Sequence, residues 1–252
     1  MPAASASPRD ESRARSRTHR RRPWWLGGSS VHRWNAELLG WGMLALGVGL
    51  LLGQLIGGII GTVVFWVVLA VPVVLAFRRG VPRGLLLLRP VDLLYGVVLG
   101  FLLRLVQGWL HVGMGGSPGF PSYPTLDGAL PPLWWAEDLV GAAIVAPVVE
   151  EFFFHGMLLV AIYTVVRRMS GRTQSARVIG ALVAIVASAA LFLITHQLVD
   201  ALAADAVIAL ALLGATCGAL VMFTGRLWPA VLVHVVYNGT GVALTVVGTL
   251  LG

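Results

Sequence analysis

The chain contains no lysine. Apart from histidine, its 18 basic side chains are all arginine, set against 11 acids for a formal charge of +7 over 252 residues. The missing lysine reflects codon usage more than chemistry. Charge is also scarce overall: 12% of residues, against about a quarter in soluble domains. The single cysteine, Cys217, excludes a disulfide within the chain and any cysteine metal cluster. Several hydrolase and nucleotide signatures are missing. No H-E-x-x-H zinc helix occurs. A G-x-S-x-G string does occur, GGSPG at 115–119, but it lies in a loop rather than at a strand-to-helix elbow. Glycine loops of the P-loop or dinucleotide type are absent. What is abundant is apolar surface, at 58% of residues, which points to a polytopic membrane protein of the all-α class.

Residues 1–34 are polar, carry eight of the arginines and lack apolar periodicity, so a disordered cytoplasmic tail is expected. Trp24, Trp25 and Trp34 suit an interfacial belt. No cleavable leader is expected, since no small-residue cleavage site follows a short apolar core. Residues 38–77 hold no charge, and forty residues of helix would reach about 60 Å, twice a bilayer core. That stretch must be two spans, 38–57 and 60–77, broken at Gly57, Gly58 and Gly61. Further spans are expected at 92–114, 137–166, 178–197, 205–224 and 228–250, making about seven in a domain covering 35–252. The arginines fall in the tail and in the loops after spans two, four and six, while the Pro-rich loop after span three has none. This alternation places the N-terminus inside.

With the loops removed, a short set of polar side chains remains at membrane depth: Arg104, Glu150, Glu151, His155, Thr195, His196, His234 and Asn238. Each alone reads as a core residue with a local hydrogen bond. Two adjacent glutamates in hydrocarbon are harder to explain, because intramembrane charges are costly and mark function. Neighbours on a helix point about 100° apart, so one glutamate is expected to serve chemistry and the other to need its own partner. Spacings of four put Glu151 with His155, Phe192 with His196, and His234 with Asn238 on shared helix faces. A carboxylate, two imidazoles and a carboxamide converging in a dry core are a kit for hydrolysis. Glutamate takes a proton from water, histidine orients that water, donates to an oxyanion or binds a metal, and asparagine donates to the oxyanion. A proton-coupled transporter also uses such chains, although no inverted repeat is visible, and a silent membrane scaffold is the third alternative.

The motifs EEFFFH (150–155), FLITH (192–196) and HVVYN (234–238) resemble the E-E-x-x-x-R, F-x-x-x-H and H-x-x-x-N pattern of the CAAX-protease and bacteriocin-processing family. These are intramembrane proteases that include the CAAX prenyl endopeptidases. The tracts AAIVAPVVEE and CGALVMFTGRLWPAVLVHVVYNG look like the family's approach to its first and last motifs, so the resemblance covers about residues 90–240. It implies a membrane endopeptidase in which Glu150 is the base, Glu151 its support, and His196, His234 and Asn238 complete the site. It also implies a hydrophobic or lipid-modified peptide substrate, contact with membrane lipids and no nucleic acid, in a bacterial cell membrane. Under the metalloprotease reading, a divalent metal such as zinc would sit on His196 and His234; a metal-free glutamate mechanism is the alternative. The chain departs from the pattern at His155, where the family has Arg, and Arg104 is the candidate to supply the missing cation to Glu151. Straight, full-length helices would not bring Glu150, His196 and His234 to one depth. Span five is therefore expected to stop partway across, with Gln197, Asp200 and Asp205 edging a hydrated cavity.

Overall fold

The computed structural model describes residues 22–124, 128–171 and 173–251. Every regular element among them is helical, and seven helices are long and apolar enough to cross a membrane. They are α1 (Ala36–Ile56), α2 (Gly58–Arg79), α3 (Pro90–Gly113), α4 (Trp135–Met169), α5 (Gln174–Val199), α6 (Ala204–Thr224) and α7 (Trp228–Leu251). The chain is an integral membrane protein of the expected all-α class, and each expected span matches one helix within a few residues.

Local chemistry sets the boundaries. The uncharged run breaks where Gly57 and Gly58 both take positive φ, 68° and 56°, which side chains with a Cβ rarely adopt. Helix α3 starts at Pro90, with the Asp92 carboxylate accepting the Arg89 N–H at 2.9 Å. Helix α5 starts at Thr173, whose hydroxyl accepts the Ala176 N–H at 3.1 Å. The loop after α3 is irregular, as its prolines imply, but it is fastened: Tyr123 N–H donates to Thr249 Oγ1 at 2.8 Å and its hydroxyl to Asp138 Oδ2 at 2.6 Å. Burial, then Asp138, pushes the Tyr123 phenol up to about 12, so it stays a neutral donor.

Two helix pairs matter most for the site. Helices α3 and α7 run side by side in the same direction, with Gly96 against Leu232 and Gly100 against Val236. A Cβ at Gly100 would lie 2.7 Å from Val236 Cβ, so only glycine allows this approach. Near their starts, Arg226 Nη2 pairs with Asp92 Oδ1 at 2.5 Å, and both residues are buried. Helix α4 is more widely wound over two segments. Over Trp135–Val145 and Glu151–Leu158 it is a π-helix, with Ala146 N–H bonded to Gly141 O and Leu159 N–H to Phe154 O, five residues back. Such widening is rare and tends to occur at functional positions.

The expected tail and the expected depths both need correction. Residues 1–21 lie outside the described residues, but 22–34 form two short 3-10 turns and pack inward. Trp24 and Trp34 are fully buried rather than interfacial, and Trp24 Nε1–H donates to Gly225 O at 2.9 Å. Span five does not stop short; α5 runs 26 residues, about 39 Å. His234 meets the glutamates because α7 begins high in the bundle. It lies six residues from the start of α7, whereas Glu151 lies 18 residues from the end of α4, about 9 Å against 27 Å. The space beneath α7 is filled by Trp24, Trp25 and the 80–89 segment, with Leu227 N–H bonded to Leu85 O at 2.8 Å.

Candidate active site

Three helices deliver the site. Helix α4 supplies Glu150 and Glu151, α5 supplies Phe192 and His196, and α7 supplies His234 and Asn238. Glu150 Oε2 lies 3.7 Å from His196 Nε2 and 3.9 Å from His234 Nε2. Glu151 Oε1 lies 2.9 Å from His234 Nδ1. Contrary to the helical-wheel expectation, both glutamates reach one residue, because the His234 ring stands between them and offers each a different nitrogen.

The hydrogen bonds orient the rings. His196 Nδ1 donates to Phe192 O at 2.9 Å, since a carbonyl can only accept. Its Nε2 is thereby aimed at Glu150. The Glu151 contact at Nδ1 aims His234 Nε2 the same way. Phe192 is the spacer: its buried ring lies 4.4 Å from the His196 ring and 5.5 Å from that of His234, and Phe154 meets it edge-on at 5.5 Å. The F-x-x-x-H motif thus has a mechanical meaning, with the backbone fixing one imidazole and the ring separating two.

A cavity of about 510 Å³ opens on one side of this cluster. Its walls include Gly57, Thr62 and Trp66 from the α1–α2 hairpin, Thr195 and Asp200 at the end of α5, and Glu150 with Asn238 at its floor. Asn238 Nδ2 spends one hydrogen on Ala142 O at 2.8 Å, leaving its second for the cavity. Asp200 lines the cavity as expected. Gln197 and Asp205 do not; Asp205 faces His111 Nδ1 at 2.9 Å instead.

Of the two supporting residues, Arg104 departs from the sequence reading and His155 keeps its place beside Glu151. Arg104 does not reach Glu151. Its Nε and Nη2 donate to Tyr237 O at 3.1 and 2.5 Å, its Nη1 bonds Gln107, and it stacks 4.0 Å above the Tyr237 ring. It is drawn to a helix carbonyl beside Asn238 and braces α7. His155 is buried, with Nε2 4.0 Å from Glu151 Oε2 and Nδ1 3.3 Å from Ser188 Oγ. Ser188 gives its own proton to Ile185 O at 3.2 Å, so it accepts from His155. Glu151 Oε2 and His155 Nε2 make no hydrogen bond, and they face each other. Ser188 was missed at the sequence level, although its place in Ser188, Phe192, His196, at intervals of four, is a one-face signal.

The donors suit a metal in kind: two imidazole nitrogens and a carboxylate oxygen, each imidazole held through its other nitrogen. Among the described residues, however, no group of three His, Cys, Asp or Glu side chains is drawn together closely enough to hold an ion. Comparison with curated proteins and with solved structures gave no match. The motif-bearing segment did: residues 132–240, which carry all three motifs and every member of the glutamate–histidine cluster, match the family described as Type II CAAX prenyl endopeptidase Rce1-like.

Proposed function

We propose that the protein is an intramembrane endopeptidase that cleaves hydrophobic or lipid-modified peptides with water activated by Glu150. The observation that carries this reading is the position of Glu150 Oε2, 3.7 and 3.9 Å from two aimed imidazole nitrogens at the floor of a cavity. A water between these groups can give a proton to Glu150 while His196 orients it. Its oxygen attacks the amide carbon, and the carbonyl oxygen that becomes charged is met by the free Asn238 hydrogen and, when the ring carries both protons, by His234 Nε2–H. Glu150 then returns the proton to the departing amine nitrogen. Glu151 holds His234 in place, and His155 with Ser188 backs Glu151. If a divalent metal is bound, His196, His234 and Glu150 are the residues that would hold it, and it would supply Lewis acidity toward the carbonyl.

Purified protein tests this with a hydrophobic peptide series. Wild type should cleave, and Glu150→Ala and His196→Ala should not. Cleavage that survives both substitutions ends the proposal. Elemental analysis of the same sample decides between the metal-bound and metal-free versions.

A further inference from the structure

We infer that the site takes its substrate from the extracytoplasmic side of the membrane, so that the peptide bond cut lies in a segment at the outer leaflet or beyond it. This deepens the proposed function and rests on it.

Two independent features point the same way. The first is where the cavity opens. Its lining comes from the α1–α2 turn around Gly57 and Gly58, from the first half of α4 at Ala142 and Ala146, and from the end of α5 and the segment after it, through Leu202. All of these lie at one end of the bundle. Toward the other end the site is closed. Every residue from Phe153 to Ala161 on α4 is buried, about 12 Å of solid helix behind Glu151. Beyond it lie the inward-packed Trp24, held by Gly225 O, and Tyr163, whose hydroxyl donates to Trp25 O at 2.5 Å. The Asp92–Arg226 pair closes the neighbouring gap between α3 and α7.

The second feature is charge. Arg22, Arg33, Arg78, Arg79, Arg83, Arg89, Arg167, Arg168, Arg177 and Arg226 all belong to the closed end, before α1 or between α2 and α3, α4 and α5, or α6 and α7. The cavity end has no arginine in its described turns, and Asp200 lies in the cavity wall. Short loops rich in arginine stay on the cytoplasmic side. The closed end is therefore cytoplasmic and the mouth faces out. A lipidated tail lying on the inner leaflet would meet the sealed end; a peptide emerging on the outer side, or anchored in the outer leaflet, meets the opening.

The test needs no catalysis. The sole native cysteine, Cys217, is buried, so single introduced thiols can be read against a silent background. Thr62→Cys and Leu202→Cys place thiols at the mouth, and Ser170→Cys places one at the arginine end. Intact cells are treated with a membrane-impermeant sulfonated maleimide. Thr62→Cys and Leu202→Cys should label fully before permeabilisation, and Ser170→Cys only after it. The reverse pattern overturns the inference, as does labelling of all three alike in intact cells. In a second arm, a hydrophobic peptide is added to sealed right-side-out and inverted vesicles. Cleavage confined to right-side-out vesicles supports the inference; cleavage in inverted vesicles overturns it. Outward labelling with no cleavage in either orientation keeps the access route and removes the proteolytic reading.

Discussion

The division of labour between the adjacent glutamates can be tested by changing each to glutamine. Glu150→Gln keeps volume and removes the group that takes the proton. The general-base contribution is about 10²- to 10⁴-fold, and kcat should fall by that factor with little change in KM. Glu151→Gln is a different perturbation. Its Oε1 contact to His234 Nδ1, at 2.9 Å in a buried setting, is of the charge-assisted kind. A glutamine carbonyl can still accept there, so only the charge assistance is lost. That is about half of a bond worth about 1.5–3 kcal/mol, or roughly 1–2 kcal/mol including imperfect alignment. In rate terms this is about 5- to 30-fold. The new amide NH₂ would take the place of Oε2, which already lacks a partner. Initial rates on a fluorogenic hydrophobic peptide, with purified protein in one detergent, give both numbers. If Glu151→Gln falls as far as Glu150→Gln, or if Glu150→Gln retains more activity than Glu151→Gln, the assignment of base and support is wrong.

Three further outcomes follow from packing. Arg226→Ala leaves Asp92 charged and buried, and should cost about 3–5 kcal/mol in denaturant unfolding, with much of the loss recovered when Asp92→Leu is added. Gly100→Val drives a side chain into Val236 and the Val233 carbonyl, 2.7 and 2.9 Å from a Cβ at that position. It should destabilise by about 1–3 kcal/mol and lower kcat by shifting His234; unchanged kinetics would show that α7 is not held through α3. Phe192→Ala removes a buried ring shared by His196 and His234, and a drop of about 3–5 kcal/mol in unfolding free energy is expected.

The span pattern was legible because apolar runs of about 20 residues and arginine-bearing loops are read one helix at a time. The side chains that converge were legible too, because i,i+4 spacing reports a shared face and only a few polar groups sit at membrane depth. Relations between helices were not. Nothing local to Arg104 says that a carbonyl on α7 will attract it before Glu151 does. Nothing in a straight-helix ruler says that α7 starts high, because the filler beneath it comes from residues 22–34, which read as polar tail. The glutamates' shared partner was hidden because a helical wheel fixes directions on one helix and says nothing of a ring from α7 that offers a nitrogen to each. That Asp92 and Arg226 form one buried pair likewise lies between helices, beside the α3–α7 glycine contact.

The indole bond from Trp24 to Gly225 spans 201 residues. During synthesis Trp24 leaves the ribosome long before its acceptor exists, so this bond can form only after six helices have been made. Its seal forms only once the turn before α7 arrives, and α7 also brings His234 and Asn238. Closure of the inner end and completion of the reactive cluster are therefore one late event. A chain interrupted before that turn would hold two carboxylates but lack the histidine and asparagine that complete the cluster.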